Sequence, residues 1–351
     1  MRRANMRDGI LSHRHKEHSP PVINAKSKIR KGNVKIKIDK LFGMAEPRIC
    51  IKRRLGGIGD VLMTTPIMKA LKYHLPSCHI TYATDFEYSN GALVDIISHN
   101  PYVDKIVPIA EVKDRDYDYR VDVTITGLDR EKPKSVPPNR IDMFAEEVGV
   151  DISLDPVPTY VITEKERKQA LSVIEKIIPD REDKQIIAIQ TRSNDERRTW
   201  PLGHVEKLVD KLSENAKFHV FVFDWGHTIE RWESLDKWKD SPNIHLFMEG
   251  SFIDTAALVD QADVVVCPDS SMLHLAGALN KKIVTIFGPI PPESRINYYS
   301  NATAIVHRLP CSFCWYRPRC SSKKESKLEC LTGITPDEPS PKATVAASSA
   351  S

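Results

Sequence analysis

No stretch of these 351 residues stays apolar for the roughly 18 to 20 residues a membrane-spanning helix needs. The first residues also lack the apolar core of a secretory signal, so a cytoplasmic location is expected. Two nucleotide-binding signatures are missing as well. The dinucleotide fingerprint G-x-G-x-x-G fails after Gly57 and Gly59, because Leu62 holds its third glycine position. There is no Gly-Lys-Ser/Thr, which excludes a Walker A loop.

What is present is an ordinary globular composition, 28% charged and 41% hydrophobic, over a length that accommodates two α/β domains. The net charge of +4 is unevenly placed. Residues 1–47 hold 12 Lys/Arg against 4 Asp/Glu, which leaves 39 against 43, a net −4, for the rest. Such a basic extension reads as a solvated, disordered tail, or as a contact with nucleic acid or with anionic lipid at the inner membrane face. The acidic remainder argues against a nucleic-acid groove, so no specific nucleic-acid partner is expected.

VKIKIDK (34–40) alternates like a short strand. From Arg48 on, strands and helices take turns. Strands are expected at 48–54, 79–85, 105–109 and 121–127, and amphipathic helices at 60–75, 91–101 and 140–150. Pro66 is expected to kink or break the first helix, and Gly149 to stop the third. After Pro156 and Pro158 the beat restarts. Helices are expected at 164–178, 202–216, 252–262 and 272–280, and strands at 185–191, 218–224, 243–248, 263–269 and 282–288. This alternation implies an α/β fold of two doubly wound, Rossmann-like domains with mostly parallel sheets. The expected division is an extension 1–47, domains 48–155 and 156–310, a cysteine-rich segment 311–335 and a low-complexity tail 336–351.

In open parallel sheets, ligands bind beyond the carboxyl ends of the strands. Segments 54–60, 191–201, 224–231 and 269–274 fall there. In RLGGIGD, Gly57 and Gly59 let another group approach the backbone. Asp60 reads either as the N-cap of its own helix or as a carboxylate able to take a proton from an acceptor hydroxyl. Thr64 and Thr65 follow, as polar lining or as helix surface. Arg192, Arg197 and Arg198 offer planar forks suited to phosphate, or form a solvated loop. Asp269, Ser270 and Ser271 occupy a strand-to-helix turn whose helix N-terminus suits an anion. His274 lies in that helix's first turn, where a histidine is more often packed than reactive. Gly288 ends the last strand and is expected to face the same cleft.

GGIGDVLMTTP, NPYVDKIV, RRTWP and PDSSMLHLAGALNKKIVTIFGP together resemble glycosyltransferase family 9, the pattern of the lipopolysaccharide heptosyltransferases, over about residues 48–310. The resemblance implies a GT-B fold, two Rossmann-like domains facing a central cleft. The first would bind the acceptor, and the second a nucleotide-sugar of the ADP-heptose type. It implies an inverting, single-displacement transfer in which Asp60 is the general base, Arg198 assists the diphosphate and no metal takes part. Asp269, Ser270 and His274 map onto a donor-site motif. Ser271 stands where that motif has glycine, a departure. Glu230 maps loosely onto the acidic residue that holds the donor ribose. The acceptor would be a glycan, a lipid-linked glycan or a protein hydroxyl, with 113–122 and 128–138 as candidate acceptor loops. From another class comes the alternative of a non-catalytic sugar-nucleotide-binding or scaffold protein.

Of seven cysteines, Cys50, Cys78 and Cys267 fall in or beside core elements and read as buried thiols. Cys311, Cys314, Cys320 and Cys330 crowd into one segment, and in a cytoplasmic chain such crowding favours metal over disulfides. Some members of the resembled family that glycosylate proteins carry a comparable cluster holding iron. A structural zinc or iron is therefore expected at these four, with free or redox-active thiols as the alternative.

Overall fold

A computed structural model describes residues 38–54, 56–124, 138–224, 235–314, 320 and 328–337. These belong to one compact unit. Its first sheet contains β1 (Arg48–Arg53), β2 (His79–Thr84), β3 (Lys105–Pro108) and β4 (Tyr119–Asp122), in the order β3-β2-β1-β4. All pairs are parallel. The helices of this half are α1 (Ile58–His74), α2 (Ala92–Ser98) and α3 (Arg140–Val148).

The second half opens with α4 (Glu164–Ile177) and β5 (Gln185–Gln190), then α5 (Leu202–Ser213), β6 (Phe218–Phe223), α6 (Leu235–Lys239) and β7 (Ile244–Phe247). It continues with α7 (Phe252–Asp260), β8 (Val264–Pro268), α8 (Ser271–Ala278), β9 (Lys282–Phe287), α9 (Glu293–Ile296), β10 (Ala302–Val306) and α10 (Glu329–Thr332). Its strands run β10-β9-β8-β5-β6-β7, again all parallel. In both sheets the strand that comes first in the chain lies inside, with later strands on both sides of it. The winding direction therefore reverses between β1 and β4, and between β5 and β8. A crevice opens at such a reversal, because the connections leave in opposite directions.

Local signals account for most boundaries. Asn139 caps α3, its Oδ1 accepting from the Ile141 N–H, and Gly149 ends it at φ 75°. Thr163 with Glu166 and Ser251 with Asp254 form capping boxes that start α4 and α7. Pro66 does not break α1. Proline removes the N–H that the Leu62 carbonyl would accept from, and the Thr65 hydroxyl donates to that carbonyl instead, at 2.7 Å.

Other expectations are corrected. Helix α1 is not amphipathic: every residue from Val61 to Met68 is buried. The first sheet covers only part of it, and α2, α3 and α8 pack around the rest. The 34–40 stretch does not continue as a strand where it is described; Asp39–Leu41 is a 3-10 turn that buries Leu41, with Ile38 buried just before it. The expected strand 121–127 runs earlier, over Tyr119–Asp122, and residues 125–127 lie outside the described residues. Four short elements, α6, α9, β10 and α10, have no counterpart in the sequence reading, since four or five residues are too few for a period to register. No helix among the described residues is long and apolar enough to cross a membrane.

Candidate active site

The carboxyl end of β1 supplies one wall. Three glycines turn the chain into α1, and Gly57 holds the N-cap position with no side-chain cap. Asp60 therefore sits within the first turn of the helix, and its carboxylate does not cap. Its Oδ1 accepts from Arg140 Nη1 at 2.8 Å, and its Oδ2 lies 3.2 Å from Arg53 Nη2. Burial pushes the Asp60 carboxyl up, but Arg140 and Arg53 override it and hold the group well below the usual carboxylate range. Its side chain keeps 20% exposure, so it is ionised and reachable.

The carboxyl ends of β5 and β8 supply the facing wall. Asp269 is buried, with Arg198 Nη1 at 3.3 Å and Arg295 Nε at 3.7 Å. Burial opposes its charge, but Arg295 and Arg198 keep it ionised. Ser270 donates to Gln190 Oε1, tying the two strand ends together. His274, in α8, is hydrogen-bonded through Nδ1 to the Tyr299 hydroxyl at 2.7 Å. Burial, only partly offset by Asp269, pushes it down to about 4, so the ring is neutral at neutral pH.

The two walls enclose a cavity of about 370 Å³. Asp60, Arg140, Arg192, Arg198, Asp269 and Arg295 reach it. Four guanidiniums against two carboxylates leave a surplus of two positive charges, which suits the two negative charges of a sugar-linked diphosphate. Gly57, Ser270, Ser271 and His274 also line the space.

The sequence model of glycosyltransferase family 9 (heptosyltransferase) matches residues 128–325. The chain belongs to glycosyltransferase family 9. It is accordingly a glycosyltransferase, and its two parallel sheets form the two Rossmann-like halves of a GT-B fold. Solved structures agree in fold. The family 9 glycosyl transferase from Veillonella parvula DSM 2008 is 18% identical, covers 74% of this chain and 85% of its own, and has a TM-score of 0.60. The E. coli ADP-heptose LPS heptosyltransferase II is 16% identical, covers 82% and 95%, and scores 0.61. The dodecameric iron-containing heptosyltransferase TibC, solved with ADP-D-beta-D-heptose, is 15% identical, covers 83% and 73%, and scores 0.59. No curated protein matches the sequence. The family match begins after the glycine turn, so Asp60 and Arg53 lie outside it.

Several expected residues of this glycosyltransferase play other parts. Gly59 opens space for protein: a Cβ there would stand 2.8 Å from His274 Cδ2 and 3.3 Å from Ser271 Cα. Thr64 is no part of the cavity. It is fully buried, its hydroxyl donating to the Val61 carbonyl and lying 3.1 Å from the Tyr82 hydroxyl. Gly288 does not face the cleft, because a Cβ there would meet Leu331 at 2.7 Å and the Cys330 sulfur at 3.2 Å. Arg197 turns away to pair with Asp195 on the outside of its loop. Glu230 lies outside the described residues.

The expected metal site fares differently. None of the seven cysteines is in a disulfide. Burial and then the other three cysteines, Cys314, Cys320 and Cys311, push the Cys330 thiol up to about 12, so the four do gather. Yet among the described residues no group of three or more His, Cys, Asp or Glu is disposed to hold a metal ion. Cys330 is buried against Gly288 while Cys320 is exposed, and as they stand these donors do not fit a metal.

Arg53, Arg140 and Arg295 were invisible as site residues in the sequence. Arg53 reads there as a strand end, Arg140 as the start of a helix, and Arg295 as part of a loop. The signal that could have found Arg53 is its place at the carboxyl end of β1 beside the glycine turn, where a charged residue needs a partner.

Proposed function

We propose that this glycosyltransferase moves a heptose from an ADP-activated donor to a hydroxyl of a glycan, lipopolysaccharide or protein acceptor, with inversion and with Asp60 as general base. The supporting observation is that Asp60 and the Asp269–Arg198–Arg295 cluster, over 130 residues apart in sequence, line one cavity from opposite walls. The family description and the ADP-heptose named in two structural relatives support the donor class. The acceptor hydroxyl attacks the anomeric carbon as the bond to the diphosphate oxygen breaks. The electron pair leaves with the diphosphate, and the hydroxyl proton passes to Asp60. A carboxylate held this far below the usual range is a weak base, so proton transfer runs late, once the new C–O bond has made the proton acidic. Arg198, Arg192 and Arg295 face the departing diphosphate and supply the positive charge that the step requires.

A thermal-shift screen of nucleoside diphosphates and their sugars, run on wild type and Asp60→Ala, tests the proposal. ADP and ADP-heptose are expected to stabilise both proteins, and only wild type to transfer. Loss of ADP binding in a folded Asp60→Ala protein, or transfer by it, overturns the role given to Asp60. The basic residues 1–47 support a peripheral position at the inner membrane face, read by co-sedimentation with anionic vesicles before and after their deletion. Elemental analysis of the purified chain checks zinc and iron. Stoichiometric metal would mean that the four thiols rearrange into a site.

A further inference from the structure

Arg53 is a buried cation in the first half's core, and it does not line the cavity. Every contact it makes points to one task. Its Nη1 donates to the Val123 carbonyl at 2.9 Å, across the β1–β4 edge where the winding reverses. Its guanidinium lies 5.0 Å above the ring of Phe144 on α3. The Gly56 backbone, at φ 122°, passes so close that a Cβ there would stand 2.1 Å from Nη2. That same Nη2 faces Asp60 Oδ2. A sheet carbonyl, an aromatic face and a glycine thus fix three sides of the guanidinium, and the fourth meets the carboxylate. Burying an arginine is costly unless its charge is matched, and among the described residues the carboxylate paired with it is Asp60.

Resting on the reading of Asp60 as the base, we propose that Arg53 is a positioning residue for the transfer reaction: it anchors the Asp60 carboxylate from behind, orients the oxygens toward the cleft and keeps them ionised. Arg140 differs. It holds the other oxygen but also lines the cavity, where a bound substrate could reach it. One arginine acts only through Asp60, while the other also faces the cavity.

The test compares wild type, Arg53→Met, Arg53→Lys and Asp60→Asn in transfer from ADP-heptose to a heptose-free lipopolysaccharide, from about pH 8 down to about pH 2.5, each point taken on protein that is still folded. Arg53→Met is expected to lose about 10-fold or more in kcat with its donor KM unchanged, because misplacing a catalytic group costs rate while ADP contacts remain. The acid limb of its pH profile is expected to move up by about 1 to 3 pH units, since one of two matching charges is gone. Arg53→Lys keeps the charge but cannot hold Val123 and Asp60 at once, so its acid limb stays near wild type while kcat is only partly restored.

A second readout needs no acceptor or donor. Proton uptake on acidification is compared between wild type and Asp60→Asn, and between Arg53→Met and the same variant carrying Asp60→Asn; each difference is the Asp60 titration, with and without Arg53. An unmoved titration and an unmoved acid limb overturn the proposal. If Arg53→Met does not fold, a folded Arg53→Lys with wild-type kcat overturns it alone. Wild-type transfer by Asp60→Asn overturns the base reading instead, and the proton-uptake comparison still decides whether Arg53 controls the carboxylate.

Discussion

At the scale of the residue, the cavity is a problem of keeping charge buried and useful. Asp60 and Asp269 are each matched by two arginines, so neither is stranded when the cavity is empty. Removing Asp269 takes away the carboxylate that half-buried Arg198 and buried Arg295 both face. Asp269→Asn is therefore expected to lower the melting temperature, and added ADP to recover part of that loss by supplying phosphate charge. A thermal melt with and without ADP checks both. Gly59 is a steric case: the Cβ of Gly59→Ala would meet the His274 ring and the Ser271 backbone at once. The expected cost is on the order of 2 kcal/mol, with activity falling because the two walls separate. A urea melt paired with a transfer assay reads both.

At the scale of the element, α1 carries the argument. Its proline survives because Thr65 satisfies the Leu62 carbonyl, and the same hydroxyl oxygen accepts from the Thr159 N–H at 2.7 Å. One side chain thus repairs the helix and ties it to the segment ahead of α4. Thr65→Val preserves shape and removes both bonds, leaving buried polar groups unpaired. The expected destabilisation is about 1 to 3 kcal/mol, measured by chemical denaturation, with Asp60 one turn earlier left in place. The periodic spacing of α1 was legible in the sequence, and so were its boundaries to within two residues. That it would be buried all round was not, because the burying surfaces come from α3 and from α8, which lies about 200 residues away.

At the scale of the whole molecule, histidines make stability depend on pH. His274 and His245 are both pushed down to about 4, first by burial, and the His219 ring facing His245 is lowered as well. In the unfolded chain His274 and His245 would take up a proton near pH 6.5, while the folded protein refuses it until about pH 4. The stability these groups allow is therefore complete above about pH 6.5 and is lost as pH falls toward 4, by up to about 3 kcal/mol for fully buried His274. Urea melts at three pH values through that window check the sign. His274→Gln is expected to flatten the slope.

Sequence alone determined the α/β alternation, the glycine turn, the arginine loop and the strand-to-helix turn around Asp269. Such features are local: periodicity, caps and breakers act over a few residues. It also placed Asp60, Arg198, Asp269 and His274 at strand ends, and those ends do meet in one cavity. Only the tertiary structure decided what each residue faces. Asp60 meets Arg140 from 80 residues away, and Arg198 meets Asp269 from 71. Gly59 yields to His274, while Gly288 turns its back on the cleft to receive Cys330. Neither fact has a local signature, because a glycine records only that space is needed. Which atoms fill that space, and which guanidinium answers which carboxylate, depends on how the two sheets close on each other.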